Sequence, residues 1–75
     1  MFQKKIFSER VASLRKERGL SQEAFGQAVK TTKATVSRLE SGDRAPSLDM
    51  LCAIANYFDV SLDYLVGRSE ERKRR

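Results

Sequence analysis

Wound onto a helix at about 100° per residue, residues 32–41 sort into two sides. Val36 and Leu39 fall together with Glu40 beside them. The opposite side gathers Ala34, Ser37, Arg38 and Ser41, flanked by Lys33 and Thr35, and holds no carboxylate. A small, polar, basic face of this kind matches what base-pair edges offer in a major groove. An arginine such as Arg38 can give a paired hydrogen bond to the two acceptors of guanine. A serine hydroxyl such as Ser37 serves either base-pair type, and a methyl such as that of Ala34 rests on a thymine methyl. Lys33 and Thr35 are placed for bases or phosphates. A polar helix face most often just meets water, so the face needs support from the segments around it.

Those segments read as five short helices. Phe7, Val11, Leu14 and Arg18 recur at four-three-four spacing and predict a helix over 8–18, ended by Gly19 in a left-handed cap with Leu20 closing back on the last turn. Ser21 caps a second helix that stops near Lys30, with Phe25, Ala28 and Val29 as its inner face and Glu23 complementing its dipole. The third runs from Thr32 to Ser41 and stops at Gly42. A loop over 43–46 leads to a fourth opened by Ser47. Leu48, Leu51, Cys52, Ala55 and Phe58 line one side of it with Ile54 nearby, so apolar a helix that it belongs in the middle of the bundle. Ser61 opens a brief fifth helix through Val66, ended by Gly67. Residues 1–67 thus form one domain, and residues 68–75, with no apolar side chain, read as a flexible basic tail.

Two features support the groove-reading chemistry. A short second helix joined to the third by a few residues is the helix-turn-helix arrangement, whose second helix enters the major groove. Within the second helix stands Gly26, where glycine costs about 1 kcal/mol against alanine, and a missing side chain there lets the third helix approach closely. The helix starts agree. Ser21, Ser47 and Ser61 are each followed two residues later by an acid, whereas Thr32 is followed by Lys33 and Ala34. Without an acid in its first turn, the third helix start stays attractive to phosphate. Glu40, beside Val36 and Leu39, is partly desolvated and needs a partner. Arg15, flanking the inner face of the first helix, is the expected one, in an architectural and not a catalytic pair.

Composition narrows the function classes. At 75 residues the chain is one domain, and such a chain buries only about 60% of its unfolded surface, leaving little room for a deep cleft. The net charge of +5 is unevenly spread: residues 1–44 hold ten Lys/Arg and five Asp/Glu, residues 45–67 three Asp and no cation, and residues 68–75 five cations and two acids. One end can therefore face a polyanion. The chain has no histidine and one cysteine, Cys52, in an apolar segment where a buried packing role fits. Catalysis, a metal site and a cofactor are accordingly not expected, nor is a small-molecule ligand. No apolar run is long enough for a membrane span, the start lacks the apolar stretch of a secretory signal, and the basic residues at the end lack the apolar face of a membrane-surface helix. A lone thiol suits the reducing cytoplasm.

In order along the chain, Gly19-Leu20-Ser21-Gln22-Glu23, Thr35-Val36-Ser37-Arg38-Leu39-Glu40-Ser41-Gly42, Pro46-Ser47-Leu48 and Val60-Ser61-Leu62-Asp63-Tyr64-Leu65 with Gly67 resemble the Cro/repressor-like helix-turn-helix family, often called XRE, over about residues 7–67. The resemblance implies an all-α, five-helix, lambda-repressor-like bundle of bacterial or phage origin and a transcriptional regulator, a repressor or autoregulator, that works in the cytoplasm and on the nucleoid when bound. It implies that Lys33, Ala34, Ser37 and Arg38 face bases and that Gln22, Thr32, Thr35 and Arg44 approach phosphates of double-stranded DNA. It also implies a buried Arg15–Glu40 pair and a two-fold homodimer on an inverted repeat with half-sites about one helical turn apart. Helix five, with Leu62, Tyr64, Leu65 and Val66, carries more apolar surface than one small core needs and is the expected dimer interface. Two positions depart from the family. Lys30 stands where glycine is usual, and because a lysine with positive φ is uncommon, a differently shaped turn is expected. Gly26 stands where alanine is common, which enlarges the space at that point.

Other readings are a protein-interaction module that kept the fold and lost DNA binding, and a chain cut from a longer regulator. The outer face of the third helix, neither acidic nor bulky and apolar, argues against the first. The tail has two uses open to it, non-specific phosphate contact or a solubilising end, and charged termini favour the second.

Overall fold

The computed structural model describes residues 2–73. Five helices follow one another: α1 (Lys4–Glu17), α2 (Gln22–Ala28), α3 (Lys33–Ser41), α4 (Leu48–Phe58) and α5 (Leu62–Leu65). The described residues contain no strand. Phe7, Val11 and Leu14 of α1 enter a core shared with Phe25 of α2, Val36 and Leu39 of α3, and Ile54, Ala55 and Phe58 of α4. Seven of the larger side chains in this set and its surroundings are less than 2% exposed, Leu65 among them. Full burial of an apolar side chain of this size contributes about 1.5–3 kcal/mol.

Helix α1 starts four residues before the predicted Ser8. Its first turn is anchored by backbone, since the Gln3 carbonyl accepts from the Phe7 amide at 2.9 Å and the Gln3 amide donates to the Val66 carbonyl at 3.0 Å. Ser8 caps nothing. It is buried, and its hydroxyl donates 2.7 Å to the Leu39 carbonyl, joining α1 to α3. At the other end Gly19 takes φ +67°, and Arg18 continues the apolar stripe by folding its guanidinium over Tyr57 and Phe58, 5.3 Å from each ring centre.

Helix α4 does not run through the middle. Its buried arc is centred on Leu51, Ile54, Ala55 and Phe58, whereas Leu48 and Cys52 lie about 70° and 110° away from that centre at the usual helical advance. Leu48 is 73% exposed and Cys52 is exposed, so the expectation of a buried cysteine is overturned. Ala28, placed by sequence on the inner face of α2, is exposed as well. Over residues 68–73 the chain lies back against α5 and α1, with the Arg68 and Ser69 amides on the Asp63 carbonyl at 2.8 and 3.2 Å. Arg74 and Arg75, part of the expected tail, fall outside the described residues.

The turn between α2 and α3 keeps a left-handed residue even without glycine: Lys30 has φ +62°. Its amide donates to the Gln27 carbonyl, and the next amide, of Thr31, donates to the Gly26 carbonyl at 2.7 Å. These bonds satisfy the end of α2 and hold the lysine in a conformation that costs an L-residue about 1–2 kcal/mol. Glycine there avoids that cost but gives back part of it as chain entropy. Lys30→Gly is therefore expected to stabilise the domain by about 0.5–1 kcal/mol, raising Tm by about 3–6 °C. Thermal unfolding followed by circular dichroism checks this, and a lower Tm would mean that the lysine side chain itself holds the turn.

Candidate nucleic-acid interface

The geometry of α3 is fixed at three places. At its start, the Thr32 hydroxyl oxygen accepts from the Thr35 amide at 3.1 Å, the capping bond that Thr, Ser, Asp and Asn provide. At its end, Gly42 takes φ +85°, and the Arg38 carbonyl accepts from the Gly42, Asp43 and Arg44 amides, the last two at 3.0 and 3.3 Å. On its inner side, a β-carbon at Gly26 would lie 3.1 Å from the carbonyl carbon and oxygen of Thr32. The missing side chain is thus taken up by the close approach of the turn that leads into α3, and little spare space remains there.

The strongest tie is polar. Arg15 Nε donates to Glu40 Oε2 at 2.6 Å and Nη2 donates to Oε1 at 3.0 Å, a two-pronged pair with side chains only 12% and 8% exposed. Arg15 Nη1 also donates to the Leu20 carbonyl at 2.8 Å, and the Gln22 side-chain amide donates to Glu40 Oε1 at 3.2 Å. One carboxylate and one guanidinium thereby join α1, the linker after it, α2 and α3. The hydrogen bond to Glu40 raises the Arg15 pKa above the ordinary guanidinium value, against the opposing effect of burial.

This framing leaves the outer side of α3 bare. Lys33, Ala34, Ser37 and Arg38 are all exposed, two at the first turn and two a turn later. Glu40 is the single acid of α3 and is turned inward, so the face carries two cations and no anion. Arg44 is exposed just past the helix end, and Thr32 is exposed with Thr35 half-buried at the start. Gln22 differs from the rest of the expected phosphate set because one of its amide N–H bonds is already committed to Glu40.

The expected dimer residues do not form one surface. Leu65 is fully buried in the core of its own chain. Tyr64 is half-buried beneath the Arg10 guanidinium, 4.1 Å from its ring centre. Only Leu62, 40% exposed, and half-buried Val66 face outward. Sequence reasoning missed their apolar neighbours Phe2 and Leu48, 37% and 73% exposed. Phe2, Ala45, Pro46, Leu48, Leu51 and Val66 line an open hollow of about 270 Å³. The signal lay in the angular offset of Leu48 from the rest of the α4 stripe.

Comparison with known proteins agrees with the fold. Residues 11–65 match the model of the helix-turn-helix family HTH_3. The uncharacterized HTH-type transcriptional regulator YqaE of Bacillus subtilis is 37% identical over 68 residues, covering 89% of this chain and 59% of that protein. The HTH-type transcriptional regulator AnsR of the same organism is 34% identical over 65 residues, 87% of this chain and 56% of that protein. The chain thus spans a little over half the length of these relatives. Among solved structures, the P22 c2 repressor in complex with a synthetic operator superimposes with a TM-score of 0.80 at 26% identity, covering 85% of this chain and 97% of the other.

Breaking the pair at the centre of the site leaves the remaining charge buried and alone. Glu40→Leu is expected to cost about 3–5 kcal/mol, and the double change Arg15→Met with Glu40→Leu to recover much of it. Urea unfolding of the three proteins checks this; a double variant as unstable as the single one would mean that the pair is needed for packing and not only for charge balance.

Proposed function

This chain belongs to the helix-turn-helix family, and on that footing we propose that it is a sequence-specific double-stranded DNA-binding transcriptional regulator, a repressor or autoregulator, that lays α3 in the major groove and binds an inverted repeat as a two-fold dimer. It is a regulator of gene expression and not an enzyme, working in the cytoplasm and on the nucleoid when bound.

The observation that carries this reading is the bare, cationic outer face of α3 on a helix that is otherwise fixed. Arg38 presents the donor fork that guanine accepts, Ser37 and Ala34 fit either base-pair type and a thymine methyl, and Lys33 reaches a base or a phosphate. The start of α3 lacks an acid, which suits an approach to phosphate. Thr32, Thr35 and Arg44 border the face and serve the backbone on either side, and Gln22 joins them through its remaining N–H. Such contacts set register, and the base contacts set sequence. The P22 c2 repressor, similar over most of this chain, was solved with a synthetic operator.

The pairing surface of this proposal draws on the acidic stretch of the chain. Residues 45–67 carry three acids and no cation, which does not suit DNA; Leu48 and Leu62 are exposed within that stretch, and Leu48 joins exposed Phe2 in lining the hollow with Pro46, Leu51 and Val66. A second copy of the chain supplies a matching apolar surface by two-fold symmetry. Leu62 and Val66 remain from the helix-five surface, and Leu48 and Phe2 replace Tyr64 and Leu65.

Selection of bound duplexes from a random pool should enrich an inverted repeat with half-site centres about 10 bp apart, whereas no enrichment would remove the sequence-specific reading. On the selected site, Arg38→Ala is expected to weaken binding by about 1–3 kcal/mol and relax one base position. Lys33→Ala should reduce the slope of log affinity against log salt by about 0.9 if it meets a phosphate. Unchanged binding by folded Arg38→Ala would exclude this face. Leu48→Glu should leave the melting temperature near that of the parent but shift sedimentation to the monomer and weaken operator binding; a dimer that persists would place the contact elsewhere.

A further inference from the structure

Helix α5 is one turn of four residues, too short to hold itself, since helix nucleation is unfavourable and a single turn gains little hydrogen bonding. Its start is capped by Ser61, whose hydroxyl accepts from the Tyr64 amide at 2.9 Å, and the Gln3 amide holds the Val66 carbonyl just past its end; the segment beyond Gly67 adds a second set of ties at both ends. We propose that residues 68–73 are a salt-sensitive clasp that locks α5 onto α1, organised by Arg10 and Tyr64.

Arg10 of α1 has a side chain only 14% exposed. Its guanidinium donates to the Tyr64 carbonyl at the end of α5 and, at 2.7 Å, to the Ser69 carbonyl, and it pairs with Glu70 at 3.1 Å. A cation at that position also complements the helix dipole. The start of α5 is covered from the other side. The Ser61 amide precedes the helix and has no partner within it, yet it donates to the Arg72 carbonyl at 2.8 Å. Between the two ends, the Tyr64 ring takes Arg10 at 4.1 Å and Arg72 at 5.6 Å from its centre, and its hydroxyl accepts from Arg72 Nε at 3.3 Å.

Arg72 completes the clasp by pairing with Glu17 on α1, both side chains about half exposed. That hydrogen bond holds the Glu17 carboxyl below its ordinary pKa. Arg72 and Lys73 border a hollow over the nearly buried side chains of Leu14, Phe58 and Val60. The clasp therefore roofs the seam where α1 meets the α4–α5 junction. Its anchors on α1 are Arg10 and Glu17, seven residues apart and so on one stripe. That stripe lies about 160° around the helix from Ser8 and Arg15, which hold α3. The basic residues of the clasp thus sit away from the groove-reading face, and their role is to close the far end of the domain.

Amide hydrogen exchange by NMR on the full chain tests this, because the Ser61, Arg68 and Ser69 amides are bonded only through the clasp turn. In 0.1 M salt all three should exchange well below the unstructured rate. Raising salt to 1 M, which shortens screening from about 10 to 3 Å, should speed them while leaving the Val36 amide of α3 unchanged. Glu17→Gln removes a half-exposed pair and should speed them about two- to fivefold. Arg10→Lys keeps the charge but loses the fork and the ring contact, and should speed them roughly tenfold or more. Unstructured exchange rates at these three amides in the intact chain would overturn the proposal. So would rates unmoved by salt and by both substitutions. Should Arg10→Lys loosen the whole fold, the Val36 amide will report it, and exposed Glu17→Gln still decides.

Discussion

The buried Arg15–Glu40 pair is the constraint on which the arrangement of the other parts depends. A helix that is to present its side chains to a partner has to hold a fixed angle, and α3 is only nine residues long. Apolar contacts through Val36 and Leu39 hold it against the core but permit rotation and sliding. A two-pronged bond between a planar guanidinium and a carboxylate fixes direction as well as distance. Taking two charges out of water offsets much of their attraction, so such a pair adds little net stability. What it provides here is orientation, and the Leu20 carbonyl and the Gln22 amide extend that orientation to the linker and to α2.

The same pair explains the electrostatics of the outer face. Glu40 is the only acid on α3, and burying it against Arg15 removes its charge from the surface while the charge of Arg38 and Lys33 stays outside. The other capped helices α2, α4 and α5 each carry an acid in the first turn, which favours the helix and opposes phosphate. In α3 that stabilisation is given up. A fixed helix that lacks it and turns its one acid inward leaves a side with cations and no anion, which is how the architecture and the proposed function are linked.

The fold and the exposed cationic side of α3 were legible in the sequence because they rest on local signals: Ser or Thr before each of the later helices, glycine after α1 and α3, and apolar periodicity between them. The Arg15–Glu40 contact was legible because an acid beside Val36 and Leu39 must be neutralised. What was not legible depends on tertiary packing at the ends of elements. Ser8 reads as the first residue of the first helix, yet it lies a turn inside α1 and its hydroxyl is used by the Leu39 carbonyl of another helix. Leu48 and Cys52 belong to an apolar stripe by composition but lie at its edge, and only the orientation of α4 decides which edge is covered. Leu65 looked surplus to a small core but is a member of it, and Tyr64 looked surplus because the groups that cover it, Arg10 and Arg72, are not apolar. Lys30 shows the converse case, in which the hydrogen bonds of the turn prevail over the conformational preference of the residue.

Helix α1 emerges as the divider of the molecule. One stripe, Ser8 and Arg15, holds α3 through bonds that are buried and therefore weakly screened by salt. The opposite stripe, Arg10 and Glu17, holds α5 and the clasp through contacts that are partly exposed, with Glu70 95% and Glu17 53% accessible. Ions thus act unequally on the two ends: the geometry of α3 resists them, whereas the far end is where they can loosen the fold. Salt also weakens any phosphate contact made by Lys33 or Arg44. A loss of DNA affinity at high salt would consequently reflect screening at the interface, with α3 itself still held in place by the buried pair.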